Sequence, residues 1–216
     1  MNRIKEIFLK ELRVEFRQKY TLGGIFLFSA TVVFLIYKVF NTVTELEWSI
    51  LLWIITMFSA LNAIVKSFSQ EKKGTYLYYY SLFDPIELII GKLIYNTLFI
   101  FLLFAAILLF MSLFLGFPVK DTELFFGASF LGIFGLSTIL TFISLISTSD
   151  QTGSTLMSVL SIPLILPIML LLLKTTAVSL RLITDTSIDQ DVLLLAAIDA
   201  IMLGTVIILF PSLWRS

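Results

Sequence analysis

The sequence predicts an all-α integral membrane protein with six transmembrane helices. Its 216 residues are 58% hydrophobic, with a mean hydropathy of +1.01. That is too apolar for a soluble domain, which must cover itself with polar side chains. Charged residues make up only 14% and gather in short stretches between long apolar runs. Six runs approach or exceed the roughly 20 residues needed to cross a hydrocarbon core of about 30 Å. They lie at 22–40, 48–68, 89–117, 124–147, 154–174 and 192–213. These runs leave no room for a separate soluble domain. The chain therefore reads as one transmembrane domain over 1–216, with an interfacial helix at 1–20, a loop at 69–88, and spans within 22–68 and 89–213.

The first segment is set apart by its charges. Ile4, Phe8, Leu12, Phe16 and Tyr20 recur every four residues and form one apolar stripe on a helix. Arg3, Lys5, Lys10, Arg13, Arg17 and Lys19 lie largely around it, with Glu6, Glu11 and Glu15 among them. Such a helix rests in the membrane interface with its basic residues near anionic headgroups. It serves either as a topology anchor or as an elbow that docks a partner. Gly23-Gly24 is expected to allow a sharp turn into the first span. The charged start, with no small-residue cleavage pattern after the first apolar run, argues against a signal peptide.

Orientation follows from the basic residues. Eleven of the 15 (Arg3, Lys5, Lys10, Arg13, Arg17, Lys19, Lys66, Lys72, Lys73, Lys92 and Arg215) fall on one side of the six spans. Lys38, Lys120, Lys174 and Arg181 fall on the other. This bias places both termini, the 69–88 loop and the 148–153 turn in the cytoplasm. The loops at 41–47, 118–123 and 175–191 then face outward, and the last is expected to hold a short, partly buried helix.

The 69–88 loop is the most informative segment. Glu71, Lys72 and Lys73 are followed by Gly74, then by Tyr76, Leu77 and Tyr78–Tyr80, then by Ser81 and Asp84-Pro85. The Asp-Pro pair signals a helix start. The tyrosines suit a short interfacial helix whose rings sit in lipid or protein while the hydroxyls stay wet. One reading is an aromatic belt that holds two helix ends at the membrane surface. The other is a coupling helix, a braced knob that a separate ATPase pushes through Glu71, Lys72, Lys73, Gly74, Tyr76, Leu77, Ser81 and Pro85. The chain has no phosphate-binding loop of its own. Gly91-Lys92 is followed by Leu93, and no glycine stands five positions before Gly91.

Polar residues within the spans offer a second set of candidates. Ser59, Asn62, Lys66 and Ser69 are spaced along one face of the second span. Ser137, Thr141, Ser144 and Thr148 are spaced along the fourth, below Ala128 and Gly132. Such residues mark close helix packing or line a pathway. Asp199 is the one acid well inside a span. It is expected to be protonated, or paired with Asn96, Asn62 or a hydroxyl, because a lone carboxylate in lipid is costly. Pro163 and Pro167 each remove a backbone donor, so a broken or re-entrant fifth span is expected. The chain has no Cys and no His. It therefore lacks a disulfide, a thiolate and the usual axial ligands for haem iron. No metal-ligand motif stands out, and Asp199 has no obvious catalytic partner.

At these residues the chain resembles the CcmB family. The resemblance spans nearly its whole length. It is strongest from Glu71 through Ser81 and in Gly91-Lys92-Leu93-Ile94-Tyr95-Asn96. It recurs from Thr155 through Pro167, in Ala197-Ile198-Asp199, and in Phe210-Pro211-Ser212-Leu213-Trp214-Arg215-Ser216. The tyrosine-rich loop looks most like versions from the Bacteroidetes lineage. The resemblance implies an ABC-2 exporter-like fold, with a coupling helix between spans two and three. It also implies a place in the bacterial inner membrane, as the permease-like subunit of a cytochrome c maturation transporter. Such a chain is not an enzyme by itself and binds no cofactor. ATP is used at a soluble CcmA-like ATPase, and haem is handled by the complex. CcmC-like and CcmD-like membrane subunits and a CcmE-like haem chaperone are the further partners, with no nucleic acid. Two other functions fit the same residues. One is an ABC-2 permease for lipid, polysaccharide or drug, and the other is a membrane scaffold with no ATP-driven motion.

Overall fold

The structure, a computed structural model, describes residues 2–17, 19–40, 42–69, 84–147, 153–184 and 187–214. Among these residues the chain is built of helices: α1 (Asn2–Arg17), α2 (Lys19–Val39), α3 (Glu45–Ser69), α4 (Pro85–Leu115), α5 (Thr122–Ser147), α6 (Gly153–Ser179) and α7 (Ile188–Trp214). α3 to α7 each contain a stretch long and apolar enough to cross a membrane, and α2 contributes the shorter apolar stretch Gly23–Val39. The all-α membrane class is therefore as the sequence predicts.

Three of the starts have a local cause. α3 opens with a capping box, in which the Thr44 N–H donates to Glu47 Oε2 at 2.8 Å and the Glu47 N–H to Thr44 Oγ1 at 3.3 Å. At α4, Asp84 has extended backbone and its carboxylate accepts from the Ile86 N–H at 3.4 Å, while Pro85 takes the first helical position. Asp121 caps α5 by accepting from the Leu124 N–H at 3.1 Å. The Asp-Pro start signal thus acts as expected, but residues 85–88 belong to α4 and not to the loop, so Pro85 is a helix start. With 31 residues, α4 is about 46 Å long, well beyond the hydrocarbon thickness.

Three expectations need correction. Gly23 and Gly24 lie inside α2, and the change of helix comes where α1 ends at Arg17 and α2 begins at Lys19. Neither glycine has a positive φ, whereas Gly116 at the end of α4 does, at 83°. Pro163 and Pro167 do not break the fifth long helix, because α6 runs through both. Each proline removes one hydrogen bond, and 27 residues of helix hold around the two losses. Both prolines are exposed, on the same outer face as Val159, Leu166 and Leu170. The expected 175–191 segment shrinks, because α6 continues to Ser179 and α7 starts at Ile188. Arg181, at φ 58°, closes α6 in a left-handed turn. There the Leu182 N–H reaches back to Ala177 O at 3.0 Å and the Arg181 N–H to Val178 O at 2.9 Å.

Two ends of the bundle are defined by contacts. At one end, Lys120 pairs with Glu45 at 3.2 Å and Lys174 with Asp191 at 2.7 Å. The backbone N–H groups of Lys120 and Asp121 donate to Ser179 O at 3.2 and 2.9 Å. At the other end, α1 packs against the start of α4, and the two share a small apolar cluster with the end of α7. The main core lies between them. Trp53 stacks on Phe104 with ring centroids 5.5 Å apart, and its indole N–H donates to Thr176 Oγ1 at 2.8 Å. Lipid tails are as apolar as leucine, so close packing rather than exclusion from water orders such a core. The fit at Gly132 illustrates this: a Cβ there would run into the Leu172 side chain of α6.

Candidate functional site

The segment expected to couple to an ATPase is framed by the end of α3 at Ser69 and the start of α4 at Pro85. Glu71, Lys72, Lys73, Gly74, Tyr76, Leu77 and Ser81 lie outside the described residues. What the structure describes is the support beside them. Ile7 of α1, Leu88 and Ile89 of α4, and Val206 and Phe210 of α7 form a small apolar cluster of their own, apart from the main core. Phe8 meets Tyr95 edge-on with ring centroids 6.3 Å apart, and Arg3 reaches Glu87 at 3.8 Å. Glu11 is buried on α1, and its carboxylate accepts from Lys10 Nζ at 2.9 Å. The expected stripe is thus only half-buried at Ile4, Phe8 and Leu12, and the contact is centred on Ile7 and Glu11. The stripe marks an apolar side of α1, while the neighbouring sector faces protein.

The mid-membrane candidates separate into distinct environments. Asn96 of α4 donates its amide to Thr141 Oγ1 of α5 at 2.8 Å, and Thr97 Oγ1 meets Ser137 Oγ at 2.9 Å. Ser144 Oγ donates to Thr141 O at 2.6 Å. The hydroxyl stripe of α5 therefore joins it to α4, which favours the packing reading, while Thr148 lies outside the described residues. Thr141→Val should leave the buried Asn96 amide without its acceptor and cost about 1 kcal/mol. Reversible unfolding in detergent measures this.

Asp199 and Asn62 do not form the pair that was one of the arrangements expected for the acid. Asn62 is exposed, and its amide donates to Phe58 O of its own helix at 2.9 Å. Ser59, one turn away, is buried, so the second-span stripe is split between two environments. Asp199 is buried on α7, and neither carboxyl oxygen has a hydrogen-bond partner among the described residues. It pairs with neither Asn96 nor Asn62 nor a hydroxyl, because Thr141 holds the Asn96 amide and Asn62 faces outward. The carboxyl is seated instead against Gly135 of α5, beside Ile168 of α6. Sequence reasoning passed over Gly135. The signal for it is Gly132-x-x-Gly135, two small residues one turn apart in an apolar span. Gly91 was noted for the phosphate-loop motif that it fails to complete and within the Gly91–Asn96 stretch of the resemblance, but not as a packing position.

These helices, with their paired polar groups inside the apolar stretches, define a polytopic α-helical membrane protein. Comparison with family models narrows the class. The CcmB protein family model matches residues 2–211, and the chain belongs to that family. No curated protein and no solved structure matches it. Membership makes it the membrane subunit of an ABC-type haem-export system for cytochrome c maturation. It is a transporter subunit of the inner membrane and not by itself an enzyme.

Proposed function

We propose that this chain is a mechanical subunit that receives work from a separate, CcmA-like ATPase gripping the segment between α3 and α4. The work drives haem export or the release of a haem-loaded, CcmE-like chaperone. CcmC-like and CcmD-like subunits complete the assembly. The fold is of the ABC-2 exporter kind with six spans, α2 supplying the first. Both termini are cytoplasmic, in keeping with the eleven basic residues on that side against four on the other.

The observation that carries this reading is how the coupling segment is mounted. Asp84 and Pro85 cap a 31-residue helix that extends from the segment through the bundle, and α1 is packed on its first turns. A push on the segment meets a stiff rod rather than a loose loop. The chain contributes no histidine or cysteine, two of the usual axial ligands of haem iron, which supports assigning that ligation to a partner. Purifying the tagged chain from cells that express the whole system tests the reading. The ATPase should be retained, and a chain that never retains it would contradict the proposal.

A further inference from the structure

We infer that Gly91 is a positioning residue, the seat by which α1 is locked onto α4. The inference rests on the coupling role proposed above and assigns that role a specific joint. A Cβ placed on Gly91 would lie 2.7 Å from Ile7 Cγ2, 3.0 Å from Ile7 Cβ and 3.5 Å from the Ile4 carbonyl oxygen. The first separation is closer than side chains tolerate, and the atom in the way belongs to a β-branched residue with little freedom to turn aside. The contact therefore exists in this form only because position 91 has no side chain. Ile7 and Gly91 are both buried, so no lipid tail or solvent fills the space between them.

The surroundings give the seat its significance. Leu88 and Ile89 precede Gly91 on α4 and pack with Ile7, and with Val206 and Phe210 near the end of α7. This cluster is separate from the main core and joins α1, α4 and α7, with Phe142 of α5 packed against it. Asp84 and Pro85, which start α4 where the coupling segment ends, stand one turn before it. The same α7 carries Asp199 into the middle of the bundle. With Ile7 seated on Gly91, α1, the start of α4 and the end of α7 are clamped as one body. A displaced coupling segment then moves all three rather than bending α4 alone.

Helix propensity points the other way, which makes the test sharp. Within a helix, Gly→Ala is favourable on propensity alone. A loss caused by Gly91→Ala must therefore come from the contact with Ile7. The experiment uses the complete complex and compares wild type, Gly91→Ala, Ile7→Ala and the double variant Gly91→Ala/Ile7→Ala. It measures ATPase subunit retained per chain, ATP hydrolysed, and mature cytochrome c formed per unit of retained complex.

Gly91→Ala should retain the ATPase at wild-type yield while cytochrome c per ATP hydrolysed falls about tenfold, the factor expected when overpacking costs a little over 1 kcal/mol. Ile7→Ala removes the atom at 2.7 Å, so the double variant should recover to within about threefold of wild type. Unchanged output per ATP in Gly91→Ala would overturn the inference. So would a double variant no better than the single one, or a loss that follows complex yield in proportion, which is the mark of a merely structural residue. Absence of the ATPase from the wild-type preparation is a different failure, and it would contradict the proposed function itself.

Discussion

Gly135→Val is expected to destabilise the folded bundle by about 3 kcal/mol, at the upper end of what overpacking a close-packed core costs. A first carbon at position 135 already runs into Asp199 Oδ1 and comes within 2.7 Å of Ile168 Cδ1, and valine adds two methyl groups. Three helices cross at this point, so the Asp199 and Ile168 side chains must turn aside within a packed core, or α7 or α6 must move away from α5. The loss should appear as a lower unfolding midpoint and a poorer yield of monodisperse protein in detergent. Asp199→Asn is the matching control. The amide nearly matches the carboxyl in size and fits the same seat, and the carboxyl has no hydrogen bond among the described residues to lose. That variant should stay within about 1 kcal/mol of wild type and support cytochrome c formation. A Gly135→Val protein as stable as wild type would show that α7 does not sit where the structure places it. Complete loss of cytochrome c at normal protein level in Asp199→Asn would assign the acid a direct role in transport.

Leu77→Asp should reduce retention of the ATPase by about tenfold or more, the scale of losing an interface hot spot, while insertion and chain yield stay normal. Leu77 stands in the aromatic stretch between Tyr76 and Tyr78, where an apolar anchor suits a docking knob. A carboxylate there must be buried unpaired at the interface or keep the partner away. The measurement is a pull-down quantified against the tagged chain. Normal retention would return the tyrosine-rich stretch to the simpler role of an aromatic belt.

Much of the fold was legible because bilayer thickness leaves few choices. Apolar runs of the right length mark helices, and the Asp84-Pro85 start signal falls where α4 begins. The errors fall where tertiary packing outweighs a local rule. Pro163 and Pro167 ordinarily interrupt helices, yet in a long helix with both prolines outward they cost two hydrogen bonds and leave the rod intact. Gly23-Gly24 permits a turn that the chain does not need, because α2 already starts at Lys19.

The candidate site was only partly legible. Asn96 was noted as a polar partner, and it finds a hydroxyl, although one on α5 rather than Asp199 on α7. Periodicity places Asn62 and Ser59 on neighbouring turns but says nothing of which side faces other helices. The seats at Gly91 and Gly135 were the least visible features. Their role is the absence of a side chain opposite a residue far away in sequence, Ile7 in one case and Asp199 in the other. Nothing in local sequence pairs those positions.

The account stands or falls on which side of the membrane holds the segment between α3 and α4. The natural chain has no cysteine, so Ser81→Cys introduces a single reactive thiol into that segment. A membrane-impermeant maleimide should leave it unlabelled in intact spheroplasts and label it once the membrane is opened, whereas a control thiol at the outer start of α5, Glu123→Cys, should be labelled in both preparations. Labelling of the Ser81→Cys chain in intact spheroplasts would put the segment outside, beyond the reach of any cytoplasmic ATPase.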